Sequence, residues 1–170
     1  VKTKYDPLVA DAVISAQEMD LAIRSARRKN LDIEEVLISE FQVKLSAIGA
    51  ALSKFFNVPY DPYKHDRIKP MDLLKNLKRE YLEQNLWLPI EEGPLGILIL
   101  TIDPEQVKSS RIVSNVFPKS KLIYHVTTNF EFKQNLDLLF GAQVETDLSS
   151  VGDLLSSMEG EDDDISAMDA

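Results

Sequence analysis

The chain has 170 residues, of which 44% are hydrophobic and 28% charged, a globular composition that can bury a sizeable core. Its net charge is −9, but residues 151–170 hold seven carboxylates and no Lys or Arg, so the first 150 residues carry only −2. A nearly neutral body with an acidic end excludes an electrostatic surface for nucleic acid, and the absence of Cys excludes disulfides, thiolate metal sites and Cys nucleophiles.

Residues 1–60 carry the signals of successive helices. Apolar residues recur there at helical spacing, and residues 44–56 place their apolar side chains on one face before Asn57 and Pro59 end the helix. The start signals, in chain order, are Asp6-Pro7, the capping box of Ser15 and Glu18, and the pair Asp32 and Glu35. We therefore predict a helical subdomain over this part of the chain.

A loop rich in Pro, Asp and Tyr follows at residues 60–68. Lys69-Pro70 then opens a helix whose apolar stripe runs to Leu82. Two short apolar runs, 86–91 and 95–101, flank Glu92-Gly93-Pro94 and predict a β-hairpin. The second run lies within the longest apolar stretch of the chain, 95–102, which is far too short to span a bilayer.

The last predicted elements alternate between helix and strand. Asp103-Pro104 starts a helix to about Asn115, with Asp103 as its N-cap, and residues 121–127 form a third strand. Asn129 is predicted to cap a further helix that Gly141 stops. A short helix is expected at 148–158, followed by a solvated acidic segment.

These patterns together predict an α+β fold. An N-terminal helical subdomain, 1–60, precedes a small mixed α/β subdomain, 61–145, with about three strands. Residues 146–170 are expected to be a short helix and an acidic linker. Because the chain begins at Val1 rather than Met and shows no signal peptide, we expect it to be a segment of a longer protein.

Two segments of the helical part align without gaps at an offset of 29 residues. The first carries apolar or small residues at Leu8, Val9, Ala12, Ile14, Met19, Ala22 and Ile23. The second carries them at Leu37, Ile38, Phe41, Val43, Ile48, Ala51 and Leu52. Any two amphipathic helices share part of this spacing, but the number of matches favours a tandem unit.

This doubled pattern resembles the N-terminal domain of the assembly ATPases of type II secretion and type IV pili. In that family the pattern reads Leu-Val-x-x-Gly-x-Ile-x-x-x-x-Leu-x-x-Ala-Leu. The boundary Phe56-Asn57-Val58-Pro59-Tyr60 is similar to the family's Leu-Gly-Leu-Pro, and Leu86-Trp87-Leu88-Pro89-Ile90 to its Leu-Pro-Leu strand. The strand that runs into Asp103-Pro104 also matches, so the resemblance covers roughly residues 6–145.

The resemblance implies a domain that is not itself an enzyme. In the family this region docks the motor on the cytoplasmic domain of an inner-membrane platform protein, and a separate C-terminal domain hydrolyses ATP in what can be a hexamer. The acidic linker would lead towards that domain. The location implied is cytoplasmic, peripheral to the inner membrane through partners, with no direct membrane insertion. None of the six glycines opens a P-loop, so we expect no ATP hydrolysis by this chain.

Some members of the family bind cyclic diguanylate through the repeat, which keeps that function as the alternative. Their motif begins Arg-Leu-Gly, where this chain has residues 3–5 and 32–34, Thr-Lys-Tyr and Asp-Ile-Glu. The motif's second glycine is Ala12 or Phe41 here, and its Gln is Ala26 or Phe55. Since Asp32 and Glu34 would oppose a phosphate, we predict no binding of this ligand.

The remaining candidates point to no catalytic, cofactor or metal site. His65 and His125 lack metal-ligand spacing. The basic cluster of Arg24, Arg27, Arg28 and Lys29 suits a helix C-terminus, with a contact to an acidic partner or lipid headgroups as the alternative. Trp87 and Phe117 are expected in the core, and Tyr60 and Tyr63 are expected to pack between layers or to contact a partner.

Overall fold

The computed structural model describes residues 3–141, so the predicted helix at 148–158 and the acidic segment lie outside the described residues. Within this range the chain forms nine helices and one three-stranded sheet, which confirms the α+β class. The chain divides after Gln134 into two units, and the helical repeat and the sheet both lie in the first. Among the described residues no helix is long and apolar enough to cross a membrane.

The helical part contains two copies of a short helix followed by a longer one. They are α1 (Asp6–Ala10), α2 (Ala16–Lys29), α3 (Ile33–Phe41) and α4 (Leu45–Phe56). The capping box at the start of α2 is confirmed, because Ser15 and Glu18 bond to each other's backbone N–H at 3.0 and 2.9 Å. Helices α2 and α4 begin 29 residues apart, the offset of the sequence repeat.

The two copies are packed crosswise. Helix α1 contacts α4, and α2 contacts α3, so each short helix lies on the long helix of the other copy. Equivalent hydrogen bonds close the two turns, from Ile14 N–H to Leu8 O at 3.3 Å and from Val43 N–H to Leu37 O at 3.0 Å. All four of these side chains belong to one buried core, which explains why the apolar frame repeats.

The helix predicted to open at Lys69-Pro70, with an apolar stripe that runs to Leu82, is broken in two. Helix α5 (Met71–Leu74) and helix α6 (Arg79–Asn85) are separated by a turn. Lys78 has extended backbone (φ −107°, ψ 149°), which a continuous helix does not allow. The apolar stripe is still present, with Leu73, Leu74 and Leu82 buried.

The sheet has the order β1-β2-β3, with β1 (Trp87–Gly93), β2 (Gly96–Thr101) and β3 (Leu122–Val126). The predicted hairpin is confirmed as the antiparallel pair β1 and β2, and β3 runs parallel to β2. The crossover was predicted as one helix but consists of α7 (Pro104–Ser110) and α8 (Ile112–Val116). Arg111, at a left-handed φ of 58°, breaks it.

Aromatic packing anchors β1, with Trp87 in the core as predicted and Phe117 half-buried. Trp87 is fully buried, with its ring edge-on to Tyr81 at 6.0 Å and to Phe117 at 6.2 Å between centroids. These three residues come from α6, β1 and the end of α8. The contact therefore ties the crossover and α6 to the same strand.

Helix α9 (Asn129–Phe140) follows β3 directly. The prediction that Asn129 caps it was wrong by one residue, because Thr128 Oγ1 accepts the N–H of Glu131 at 3.1 Å. Gly141, at a φ of 86°, follows the last residue as predicted. The boundary loop also joins this region, since Tyr60 forms an isolated parallel bridge with Val126 of β3.

Candidate functional site

Two equivalent residues of the repeat meet at its centre. Tyr5 and Glu34 are 29 residues apart, and the Tyr5 hydroxyl donates to Glu34 Oε2 at 2.7 Å. Both are buried, at 6% and 2% exposure. Each stands where the resembled motif has the Gly of Arg-Leu-Gly. A ring and a carboxylate therefore fill a place where two glycines would leave the backbone open to a ligand.

The Glu34 carboxylate is held from two sides. Its other oxygen, Oε1, accepts the backbone N–H of Asn129 at the start of α9, at 2.9 Å. Burial raises the pKa of Glu34, and the Asp32 charge adds to this, whereas the two hydrogen bonds and Lys4 act in the opposite direction. Burial and the neighbouring Glu34 also raise the pKa of Tyr5, which keeps its hydroxyl neutral and donating.

The other residues at the Arg-Leu-Gly positions are used inside the fold. Thr3 donates to Asp6 through its N–H and its hydroxyl, both at 3.1 Å. Asp32 caps α3 by accepting the Glu34 N–H at 3.2 Å, and its other oxygen accepts Asn129 Nδ2 at 2.9 Å. The Asp32 side chain therefore lies where the family motif has a cation, and it joins α3 to α9 instead.

The second glycine position of the motif differs between the copies. Ala12 is exposed and has a left-handed φ of 60°, the conformation that favours glycine. Phe41 is still helical, and the left-handed residue of the second copy is Gln42, at a φ of 54°. The left-handed residue therefore comes one position later in the second copy, and α3 is still helical at Phe41, the position equivalent to Ala12.

The motif's Gln positions provide no polar group. Ala26 is buried in the core. Phe55, at the second Gln position, is 37% exposed and lies edge-on to Phe56 with centroids 4.9 Å apart. The buried face of α4 is carried instead by Ile48, Ala51 and Leu52.

A second buried carboxylate, Glu131, was not singled out in the sequence. It accepts the Tyr60 hydroxyl at 2.6 Å, the Thr128 hydroxyl at 2.9 Å and the Tyr63 N–H at 2.9 Å. Burial and Glu131 raise the pKa of Tyr60. Thr128 followed three residues later by Glu131 is a capping-box pattern, so the helix start was available as a signal. The contacts of Glu131 with the two tyrosines had no such signal, because the loop that holds them lies about seventy residues earlier in the chain.

The histidines do not meet. His125 Nδ1 lies 3.1 Å from Asp61 Oδ2, and Arg67 Nη2 lies 3.2 Å from Asp61 Oδ1, whereas His65 is exposed in the loop. The described residues contain no group of three or more His, Asp or Glu side chains that could hold a metal ion. Asp103 is an N-cap, as predicted, and accepts the Gln106 N–H at 3.1 Å.

The basic cluster lies on the exposed last turns of α2. Arg24 pairs with Asp20 at 2.7 Å, and Lys29 pairs with Glu40 of α3 at 2.6 Å. Hydrogen bonds from Lys29 and Ser25 lower the pKa of Glu40. Exposed pairs of this kind stabilise a fold only slightly. The position of the basic residues in the last turns of α2 agrees with the predicted placement beside the helix dipole.

Two grooves occupy equivalent positions on the two copies. The α3–α9 groove, about 800 Å3, is lined among others by Asp32, Glu35, Ile38, Leu45, Phe130 and Lys133. The α1–α2 groove, about 450 Å3, is lined among others by Thr3, Asp6, Val9, Ala10 and Ala16. Subtracting 29 from positions 32, 35, 38, 39 and 45 of the first groove gives the five residues named for the second. Only the α3–α9 groove has a further wall from α9 among its lining residues.

Comparison with known proteins identifies relatives of this fold. The model of the MshEN domain matches residues 56–146, slightly more than half of the chain. A structure of MshE with cdg is similar with a TM-score of 0.60 and 16% identity, over 82% of this chain and 100% of that one. The N-terminal domain of XpsE is similar with a TM-score of 0.53 and 12% identity, over 81% and 94%. At such identities the structures establish the fold alone. No curated protein sequence matches the chain.

Proposed function

Since the chain belongs to the MshEN domain family, as an N-terminal domain of a type II secretion or type IV pilus assembly ATPase, we propose that it acts by docking. Its partner in this proposal is the cytoplasmic domain of an inner-membrane platform protein. The chain itself catalyses nothing, and ATP is hydrolysed by a C-terminal domain of the same polypeptide. The domain thereby serves protein transport or pilus assembly from the cytoplasmic side of the inner membrane, as part of what can be a hexamer.

The observation that carries this proposal is the closed centre of the repeat. Tyr5 and Glu34 fill each other's space and bond to each other, and Asn129 completes the network. A repeat that has satisfied its own central polar groups is suited to hold a shape rather than to open for a small anionic ligand.

The docking proposal is tested by calorimetry between the purified chain and the cytoplasmic domain of the platform protein from the same system. Saturable binding is expected. As a control, a chain with Leu52→Asp, which places a charge in the repeat core, should lose both its cooperative unfolding and the binding. If the folded wild-type chain does not bind, the docking function is wrong.

The cyclic diguanylate alternative has one observation in its favour, namely that a relative of the same fold was solved with cdg. Against it stand the residues at the motif positions, where no Arg is present and two are acidic.

The division into subdomains 1–60 and 61–145 with a linker at 146–170 also remains a prediction. Limited proteolysis followed by mass spectrometry would locate the boundaries, and cleavage first within 146–170 is expected.

A further inference from the structure

The α3–α9 groove combines an exposed apolar floor with acceptor groups on its rim. Phe130 is 57% exposed and Ile38 is 37% exposed, and both line the groove. Large apolar side chains that share one concave surface are typical of a protein contact site rather than of isolated exposed residues. The groove therefore differs from the scattered exposure of residues such as Ile68 and Leu95.

Two acceptor groups of the groove have no partner within the described residues, and the exposed Lys133 is the one cation that lines it. Glu35 is exposed at its edge, one turn before Ile38. Its backbone O accepts the Ser39 hydroxyl at 2.8 Å, whereas its carboxylate makes no hydrogen bond or ion pair within the described residues. The side-chain Oδ1 of Asn129 is buried without a donor in the same part of the chain, although its Nδ2 bonds to Asp32. Carboxylates and amide oxygens of this kind bind N–H donors, most strongly cationic ones.

The equivalent α1–α2 groove lacks these features. Both of its carboxylates are engaged, because Asp6 accepts two hydrogen bonds from Thr3 and Asp20 pairs with Arg24 at 2.7 Å. Its apolar residue Val9 packs against the core, whereas the equivalent Ile38 is exposed. The two copies share one backbone plan, so the difference lies in side chains and in α9, and it is confined to the second groove.

We propose that the α3–α9 groove is the docking site for an amphipathic segment of the partner that carries Lys or Arg beside apolar residues. The proposal rests on the docking function and locates it. Glu35, Ile38 and Ser39 project from one face of α3, at the i, i+3 and i+4 spacing by which a helix engages another helix in a groove. The apolar side chains of the segment cover Phe130 and Ile38, and its cation pairs with Glu35 and Asp32.

An anionic ligand does not fit this site. Asp32 and Glu35 are acidic, and Lys133 is the one basic residue among those that line the groove. A phosphate or nucleotide would meet like charge at the α3 side and would gain nothing from the apolar floor. The charge pattern therefore selects a cationic amphipathic segment.

Matched substitutions in the two grooves test the location. Ser39→Trp fills the α3–α9 groove, and Ala10→Trp places the same bulk at the equivalent exposed position of the α1–α2 groove. Glu35→Lys reverses the rim charge, and Glu92→Lys makes the same reversal on the exposed end of β1. Binding of the platform protein's cytoplasmic domain is measured by calorimetry, and thermal unfolding confirms that each variant is folded.

The expected result is a loss of affinity of at least about tenfold, roughly 1.4 kcal/mol, for Ser39→Trp and Glu35→Lys, with the two control variants unchanged. Unchanged affinity of the two groove variants would overturn the proposed site while leaving the docking function intact. Loss of binding through Ala10→Trp alone would place the partner on the other groove.

A second measurement does not depend on the platform protein. The isotope-labelled chain is titrated with a synthetic amphipathic helical peptide of Leu and Lys, and separately with its Leu and Glu counterpart, while amide chemical shifts are followed. Shifts that cluster at Glu35, Ile38 and Phe130 are expected with the Lys peptide only, and Ser39→Trp should remove them. No clustering, or the same clustering with the Glu peptide, contradicts the proposal even if the platform protein binds.

Discussion

At the scale of single residues, Glu34 is the group on which the repeat and the mixed part both depend. Its two oxygens accept from Tyr5 in the first copy and from Asn129 at the start of α9. Removing one partner of such a buried network costs more free energy than the hydrogen bond itself contributes. The reason is that the remaining buried group then bonds neither to the protein nor to water. A carboxylate is tolerated at this depth because both of its oxygens have donors.

The raised pKa of Glu34 predicts a specific dependence of stability on pH. The folded chain holds the Glu34 proton to a higher pH than the unfolded chain, whose value is near the ordinary 4.5. The stability that Glu34 contributes is therefore fully present below the unfolded pKa and is lost as the pH rises through the folded pKa. Urea unfolding of the wild-type chain and of Glu34→Gln, from about pH 4 to about pH 8, should give a stability difference that moves against the wild type as the pH rises.

Glu40→Gln is the matched control for this experiment. The pKa of Glu40 is lowered by its bonds to Lys29 and Ser25, so its contribution is present above the unfolded pKa and lost as the pH falls. Its difference curve should slope in the opposite direction. Parallel curves for the two variants would mean that folding does not raise the pKa of Glu34.

At the scale of elements, the contact between α4 and the boundary loop explains a glycine inside a helix. Gly49 lies in the middle of α4, where glycine is less favourable than alanine by about 1 kcal/mol. A Cβ at position 49 would overlap Cζ of the Tyr60 ring. The ring is held in place by its hydroxyl bond to Glu131. The helix therefore gives up propensity so that the loop can pack on its surface.

We expect Gly49→Ala to destabilise the chain in spite of the better helix propensity of alanine. The overlap with the Tyr60 ring should outweigh the gain, with a net loss of about 1–3 kcal/mol in the free energy of unfolding. The double variant Gly49→Ala/Tyr60→Ala should lose less free energy of unfolding than the sum of the two single losses. Urea unfolding of the four chains in a double-mutant cycle measures this difference. A rise in melting temperature for Gly49→Ala alone would show that the ring does not lie on α4.

Other elements show where local signals suffice. The starts of α2, α3 and α7 follow their capping residues, because a cap is made within four residues of sequence. The breaks at Lys78 and Arg111 carry no such signal, since neither residue is Gly or Pro. The left-handed backbone of Arg111 is unfavourable for a residue with a side chain, so the packing of the surrounding elements must stabilise it.

At the scale of the whole molecule, the MshEN model matches the mixed part from residue 56 onward, whereas the solved structures extend the likeness over most of the chain. The helical repeat lies almost entirely before residue 56, outside the range that the family model matches. Its apolar frame persists because Leu8, Leu37 and their neighbours share one core. Its polar motif positions are used inside the fold, where Asp32 and Glu34 bond to Asn129 at the start of α9.

We predict that the purified chain does not bind cyclic diguanylate. Tyr5 and Glu34 occupy the glycine positions, and Asp32 and Glu34 place acidic groups where phosphates would approach. Isothermal calorimetry should give no saturable heat, with MshE, the relative solved with cdg, as the positive control. Micromolar or tighter binding would overturn this prediction and would restore the sensing alternative.

The sequence by itself determined the α+β class, the order of the strands along the chain, the 29-residue repeat and most helix starts. These depend on the period of the apolar residues and on contacts within one turn, which a single sequence contains. Only the tertiary structure decided that Tyr5 meets Glu34, that Tyr60 lies on Gly49 and that the second copy of the repeat has the open, acidic groove. These features join residues from about ten to nearly one hundred positions apart, and such pairs are chosen by how the packed elements come together rather than by any local preference.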